Sequence, residues 1–120
     1  VRVQGGKTRK QAYLIANSVA TSSLVKTALF GEDPNWGRIY CAVGNAGAAF
    51  NPDKVDILLN KHLLLKNGAP TNIPPKNLVK AMQKHEIHIS IDLNSGKEWE
   101  EVFTCDFSYD YVKINAEYTT

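Results

Sequence analysis

Four stretches of this chain have residue types and spacings that could do chemistry. Gly6-Lys7-Thr8 imitates the end of a phosphate-binding loop, but that motif needs a further glycine where Val1 stands. The plainer expectation is a strand-to-helix turn with Thr8 as the helix cap. His62, His85 and His88 are the three histidines. His85 and His88 have the spacing of one helix face, yet they straddle a predicted helix-to-strand junction, and no cysteine or carboxylate stands at zinc-site spacing around them. No metal site is expected. Serine, histidine and aspartate are all present, but without a G-x-S-x-G elbow or any comparable strained nucleophile turn their combination carries no weight.

The third stretch is Gly31-Glu32-Asp33-Pro34-Asn35-Trp36-Gly37-Arg38, where two acids, an amide, a tryptophan and an arginine crowd a predicted helix start. Its structural reading has Asp33 capping exposed amides, Pro34 at the first helical position, and Arg38 pairing with Glu32 or Asp33. Its functional reading is a polar site at a helix N-terminus, a place that suits carboxylate groups. The fourth is the end of the chain, Asp106 to Thr120. Terminal residues are usually frayed and polar, whereas here aromatic and β-branched residues run almost to the end. A docked terminus is therefore expected, holding Thr120 and its carboxylate at a fixed position, as a site for an amino acid would need.

The elements that must position these residues follow from hydropathy periodicity. Val1 to Gln4 is a predicted strand, Gly5-Gly6 a turn, and Ala12, Ile15, Ala16, Val19 and Ala20 recur at helical spacing. Leu24 to Phe30 is ambiguous, with a strand preferred for its second half. A helix from Pro34 buries Trp36, Ile39, Tyr40 and Val43 and ends at Gly44 or Gly47. Val55–Leu59 and His62–Lys66 pair as a hairpin around Asn60-Lys61. Pro74-Pro75 opens a third helix carrying Leu78, Val79 and Met82. Ile87, Ile89, Ile91 and Leu93 alternate with His88, Ser90 and Asp92, the pattern of a half-buried strand. After a turn at Asn94 to Lys97, Trp99 to Ile114 is expected to form one or two more strands. The fold class predicted is α+β: a mixed sheet with about three helices packed on it, in a single domain over residues 1–120.

Composition bounds the function without naming it. The chain has 120 residues, 43% hydrophobic and 22% charged, which excludes disorder, collagen and a disulfide scaffold. No apolar run approaches the roughly 20 residues of a membrane span. Fourteen Lys+Arg against 12 Asp+Glu give a net charge of +2, no support for a nucleic acid partner. Cys41 and Cys105, in no metal or redox spacing, are expected to be reduced, buried thiols. The chain opens within a strand, with no initiator Met or signal peptide, which predicts a piece of a longer protein.

Two segments carry a resemblance. Val25-Lys26-Thr27-Ala28-Leu29-Phe30-Gly31-Glu32-Asp33-Pro34-Asn35-Trp36-Gly37-Arg38 and Asp110-Tyr111-Val112-Lys113-Ile114-Asn115-Ala116-Glu117-Tyr118-Thr119-Thr120 closely resemble the C-terminal part of the ornithine acetyltransferase family, also called glutamate N-acetyltransferase. Asn17-Ser18, Ala42-Val43-Gly44 and Asn67-Gly68-Ala69-Pro70 match in order, so the resemblance covers essentially the whole chain.

The resemblance implies an acetyltransferase of arginine biosynthesis. Enzymes of that family move acetyl from N-acetylornithine to glutamate by a ping-pong route, releasing ornithine and N-acetylglutamate, and some members also acetylate glutamate from acetyl-CoA. Their precursor cuts itself into α and β chains, freeing an N-terminal threonine whose amine can activate its own hydroxyl as the acetyl-carrying nucleophile. By this resemblance the threonine, the oxyanion hole and a substrate-contacting lysine and glutamate lie upstream of Val1, so no catalytic residue is expected in these 120 residues, which alone should be inactive. Two substrate contacts carry over: Asn115, the asparagine of the Lys-Ile-Asn-Ala motif, and Thr120, the final hydroxylated residue. An asparagine amide both donates and accepts, so it can read either end of a zwitterionic amino acid. The implied partners are the α chain and a second β chain in an α2β2 heterotetramer. No cofactor is implied. The compartment is the cytoplasm in bacterial and archaeal relatives and the mitochondrion in fungal ones. The alternative is a non-catalytic amino-acid-binding or assembly module with the same fold.

Overall fold

The computed structural model describes residues 1–118. Six strands form one mixed sheet: β1 (Arg2–Gly6), β2 (Asp56–Leu59), β3 (His62–Lys66), β4 (Ala69–Pro70), β5 (Ile89–Asp92) and β6 (Glu98–Glu101). Their order across the sheet is β4-β3-β2-β5-β1-β6, with β1 and β5 parallel and every other neighbouring pair antiparallel. The predicted α+β class with a mixed sheet is the observed one.

Register explains the core. Val3 lies opposite Ile91, Ile91 opposite Ile57, and Ile57 opposite Leu65, so four strands contribute one row of side chains to the same face. All four are fully sealed from solvent. Helix α1 (Arg9–Ala20) packs over β1 and β6 and adds Ala12, Ile15, Ala16 and Val19 to the same apolar cluster. The small residues in its stripe let the helix approach the sheet closely. Thr8 caps α1 by accepting from the Gln11 amide at 3.0 Å, while the Gln11 side chain accepts from the Lys7 amide at 2.7 Å and donates to the Ala49 carbonyl at 2.8 Å. Gly6-Lys7-Thr8 is thus the strand-to-helix turn that its plainer reading predicts.

Several expectations are corrected. Leu24 to Phe30 contains no strand: α2 spans Ser23–Phe30, capped by Ser22, because burial of Val25 and Ala28 against α1 and α3 outweighs the β-branched local composition. Helix α3 (Trp36–Gly44) begins two residues later than Pro34, and Asn35 rather than Asp33 is its cap. Its buried face holds Ile39 and Val43 as predicted, but Trp36 is 39% exposed. The helix after Pro74-Pro75 is a 3-10 turn at Pro75–Asn77 followed by the single α turn α4 (Val79–Met82), with Leu78 and Met82 buried and Val79 exposed. The hairpin around Asn60-Lys61 forms, with Asn60 in the left-handed region at φ 52°. The largest departure lies after Trp99: the strand stops at Glu101, the chain has no regular secondary structure to Ser108, and α5 spans Tyr109–Glu117. Both cysteines are exposed rather than buried. No helix among the described residues is long and apolar enough to cross a membrane.

Candidate functional site

The Gly31 to Arg38 stretch builds a corner between two helices. Gly31 ends α2, Glu32 takes φ 55°, and the Asp33 amide returns to the Ala28 carbonyl at 2.9 Å. Asn35 then does two jobs, accepting from the Arg38 amide at 3.0 Å as the cap of α3 and donating to the Asp33 carboxylate at 3.0 Å. Arg38 pairs with neither Glu32 nor Asp33; its guanidinium donates to the Leu24 carbonyl at 3.0 Å and the Thr27 hydroxyl at 3.4 Å, tying α3 to the first turns of α2. Leu24 and Thr27 lie about one turn apart on α2, so one guanidinium on α3 reaches both and joins the two helices.

Beyond this corner lies the C-terminal arm. The Val102 amide donates to the Val1 carbonyl at 2.8 Å, the Thr104 hydroxyl to the Ala20 carbonyl at 2.8 Å, and the Phe107 amide to the Lys26 carbonyl at 3.2 Å. The arm therefore runs from the edge of the sheet past the end of α1 and along α2. There the Lys26 ammonium lies 4.2 Å from the centroid of the Phe107 ring, Phe107 stacks on Tyr111 at 4.8 Å, and Phe30 meets Tyr109 edge to face at 5.3 Å. Ser108 caps α5 by accepting from the Tyr111 amide at 3.0 Å. Helix α2 and the aromatic arm, far apart in the chain, are thus in direct contact through Lys26, Phe30, Phe107 and Tyr109. No spacing rule announces this, because neither segment has a pattern that names the other.

Asn115 sits on α5, and its side-chain NH2 donates to the Tyr111 carbonyl one turn earlier at 2.8 Å. Among the described residues its carbonyl oxygen makes no hydrogen bond. Thr120 lies outside the described residues. No residue of α5 is buried, so the predicted docking of the terminus is not found over the residues described: Tyr109 is 83% exposed and Ile114 66%. With successive residues about 100° apart around a helix, Ile114, Tyr111, Asn115 and Val112 share one side and Asp110, Lys113 and Glu117 the other. Apolar character alone did not decide docking: among the described residues Phe107 covers part of Tyr111, and no residue of that side is buried.

A cleft of about 630 Å³ opens between the end of α2, the segment before β5 and the arm, lined among others by Arg2, Glu32, His85, His88, Glu101 and Asp106. Asn115 is not among its lining residues, so the structure does not bring it to the cleft. His85 and His88 do both reach the cleft, and the His88 imidazole stands 3.3 Å from the Glu86 carboxylate. No group of three or more metal-ligating side chains forms among the described residues. His62 lies in β3 opposite Leu59 of β2.

The most heavily bonded carboxylate belongs to the scaffold. Asp56 at the start of β2 is buried and accepts from the Asn67 amide at 2.9 Å, the Lys66 ammonium at 3.1 Å and the Asn94 side chain at 3.1 Å. Burial pushes its pKa up, but the hydrogen bonds from Asn67, Asn94 and Lys66 and the charge of Lys66 outweigh it and leave the carboxyl below its ordinary value. Asn94 also donates to the Lys54 carbonyl at 2.7 Å, so this network closes one end of the sheet. Tyr40 donates to the Pro52 carbonyl at 2.9 Å; burial, with the nearby Asp53 charge, raises its pKa.

Comparison with known proteins covers the same span. A model of the ArgJ family matches residues 1–120. A protein of Desulfotalea psychrophila named arginine biosynthesis bifunctional protein ArgJ is 50% identical over 98% of this chain and 30% of its own length. A protein of Schizosaccharomyces pombe named arginine biosynthesis bifunctional protein ArgJ, mitochondrial, is 44% identical over 98% of this chain and 28% of its own length. The crystal structure of arginine biosynthesis bifunctional protein argJ from Bacillus halodurans superposes with a TM-score of 0.93 at 36% identity, covering 98% of this chain and 55% of that one. The chain spans about 30% of the length of the curated relatives it matches.

Proposed function

The chain belongs to the ArgJ family, and on that premise we propose that it forms the substrate-side part of an acetyltransferase that moves acetyl from N-acetylornithine to glutamate. The covalent work falls to a threonine elsewhere in the protein, which takes the acetyl group as an ester, releases ornithine, and then yields the acetyl group to the amine of glutamate. In this reading the chain operates with the nucleophile-bearing part in an α2β2 assembly, and the 120 residues alone transfer no acetyl group. Its compartment is the cytoplasm in a bacterium and the mitochondrion in a fungus.

Asn115 and Thr120 would hold the amino-acid substrate. The observation that carries this reading is the placement of Asn115: an amide whose oxygen has no hydrogen-bond partner among the described residues, on the exposed apolar side of α5. Once that side is covered by the rest of the enzyme, the amide becomes a polar group in dry surroundings, where a hydrogen bond to a substrate discriminates strongly.

In the complete enzyme Asn115→Ala should lower kcat/KM by about tenfold for both N-acetylornithine and glutamate, since one pocket serves both half-reactions. An unchanged kcat/KM would remove Asn115 from the site. Turnover of N-acetylornithine by the purified 120 residues would overturn the division of labour and place a nucleophile within this chain. Binding of ornithine by an otherwise complete but inactive protein would instead favour a non-catalytic amino-acid-binding module.

A further inference from the structure

Helix α5 buries none of its nine residues, and the four residues that lead into its anchor, Phe103 to Asp106, are all exposed. An element this poorly packed against its own domain would sample many orientations if only chain connectivity held it. What holds it is a small set of contacts at its N-terminal end, made to α2 directly or through Phe107. The Phe107 amide donates to the Lys26 carbonyl, the Lys26 ammonium lies over the Phe107 ring, Phe107 stacks on Tyr111, and Phe30 meets Tyr109. Tyr109 and Tyr111 belong to the first turn of α5, so these contacts set both where the helix begins and the direction in which it leaves.

We propose that Lys26, Phe30 and Phe107 are positioning residues that aim α5, and with it Asn115, at the substrate. The proposal rests on the reading of Asn115 as a substrate contact. None of the three needs to touch substrate. They act by restricting the angle of a helix whose far end carries the contact, and a displacement of about 1 Å there is enough to weaken a hydrogen bond to a bound ligand. Phe107 is the centre of the device, because it connects α2 on one side to Tyr111 on the other. Lys26 contributes twice, through its backbone carbonyl and its ammonium; only the second contribution is removed by changing its side chain. Arg38 holds α2 at Leu24 and Thr27, on either side of Lys26, so the clamp is mounted on a helix tied to α3.

The test is made in the complete enzyme. Phe107→Ala should raise KM for N-acetylornithine and for glutamate about tenfold while kcat falls less than about threefold, with the thermal midpoint unchanged. Lys26→Met should raise both KM values about threefold. Phe107→Trp and Lys26→Arg, which keep the stack and the cation, should return KM to within about twofold of the parent. In a background already carrying Asn115→Ala and Thr120→Ala, Phe107→Ala should add less than about twofold, because its route to the substrate is gone. Unchanged KM in Phe107→Ala, failure of the conservative variants to restore it, or a loss that tracks the thermal midpoint would each overturn the clamp. If Asn115→Ala has an effect and Phe107→Ala has none, the clamp alone fails. If Asn115→Ala has none, the reading beneath it fails instead.

Discussion

Strand β5 and helix α5 are both rich in apolar residues, yet Ile91 in β5 is fully sealed while Ile114 in α5 is 66% exposed. In β5 the alternation of apolar and polar residues meets β1 on one side and β2 on the other, and α1 belongs to the same apolar cluster. In α5 an equally apolar side meets, among the described residues, only Phe107 at its first turn, and none of its residues is buried. The sheet therefore carries its own reason to fold, whereas α5 carries a capping serine, an aromatic clamp and a face that awaits a cover. Apolar sequence signals that a surface is to be buried, but it does not say by what.

The comparison can be broken most forcefully in the sheet. Ile91→Ala removes the centre of the row Val3, Ile91, Ile57 and Leu65 and should cost about 2–5 kcal/mol, read from the midpoint of urea unfolding. A cost below 1 kcal/mol would mean the row is not the core. Next, Asp56→Asn puts an amide donor against the donors of Lys66 and Asn94 and should cost about 1–3 kcal/mol near neutral pH. Because the folded carboxyl lies below its ordinary value of 3.8, the stability it contributes is fully present above that value and disappears as pH falls through the folded pKa. The gap between parent and Asp56→Asn should thus be level from about pH 5 to 8 and close at lower pH; a gap that widens on acidification would reverse the assignment. The smallest effect is expected in α5. Ile114→Ala should change the unfolding midpoint of the 120-residue chain by less than about 0.5 kcal/mol, since the side chain is already in water. A larger loss would show that α5 has a docking place within the chain.

What was legible beforehand follows the same division. The periodicity of α1 and β5 and the hairpin at Asn60-Lys61 were readable because each depends on neighbours a few residues away and on one covered face. Of the strand or two expected through Trp99 to Ile114 only β6, ending at Glu101, forms, because β-branched and aromatic content does not by itself make β structure. In fact Ser108 caps a helix there, and the Ile114, Tyr111 and Val112 spacing is helical. Asp33 looked like the cap of α3, but Asn35 took that place once its side chain could bridge the Arg38 amide and Asp33. Asn115 was visible as a candidate only through the motif that contains it. Its surroundings were not, since they depend on segments distant in the chain.

By itself the sequence determined the α+β class, the alternating strand at the centre of the sheet, the capped first helix and membership of a family through two specific motifs. These are properties of local period and residue identity, and they survive without knowledge of contacts. Only the tertiary structure decided that α2, inside the first motif, meets the residues leading into the second, with Lys26 over Phe107 and Phe30 against Tyr109, and that the side chains of α5 beyond Tyr111 stand exposed. Burial is a relation between surfaces brought together from distant parts of the chain, so no local pattern can supply it.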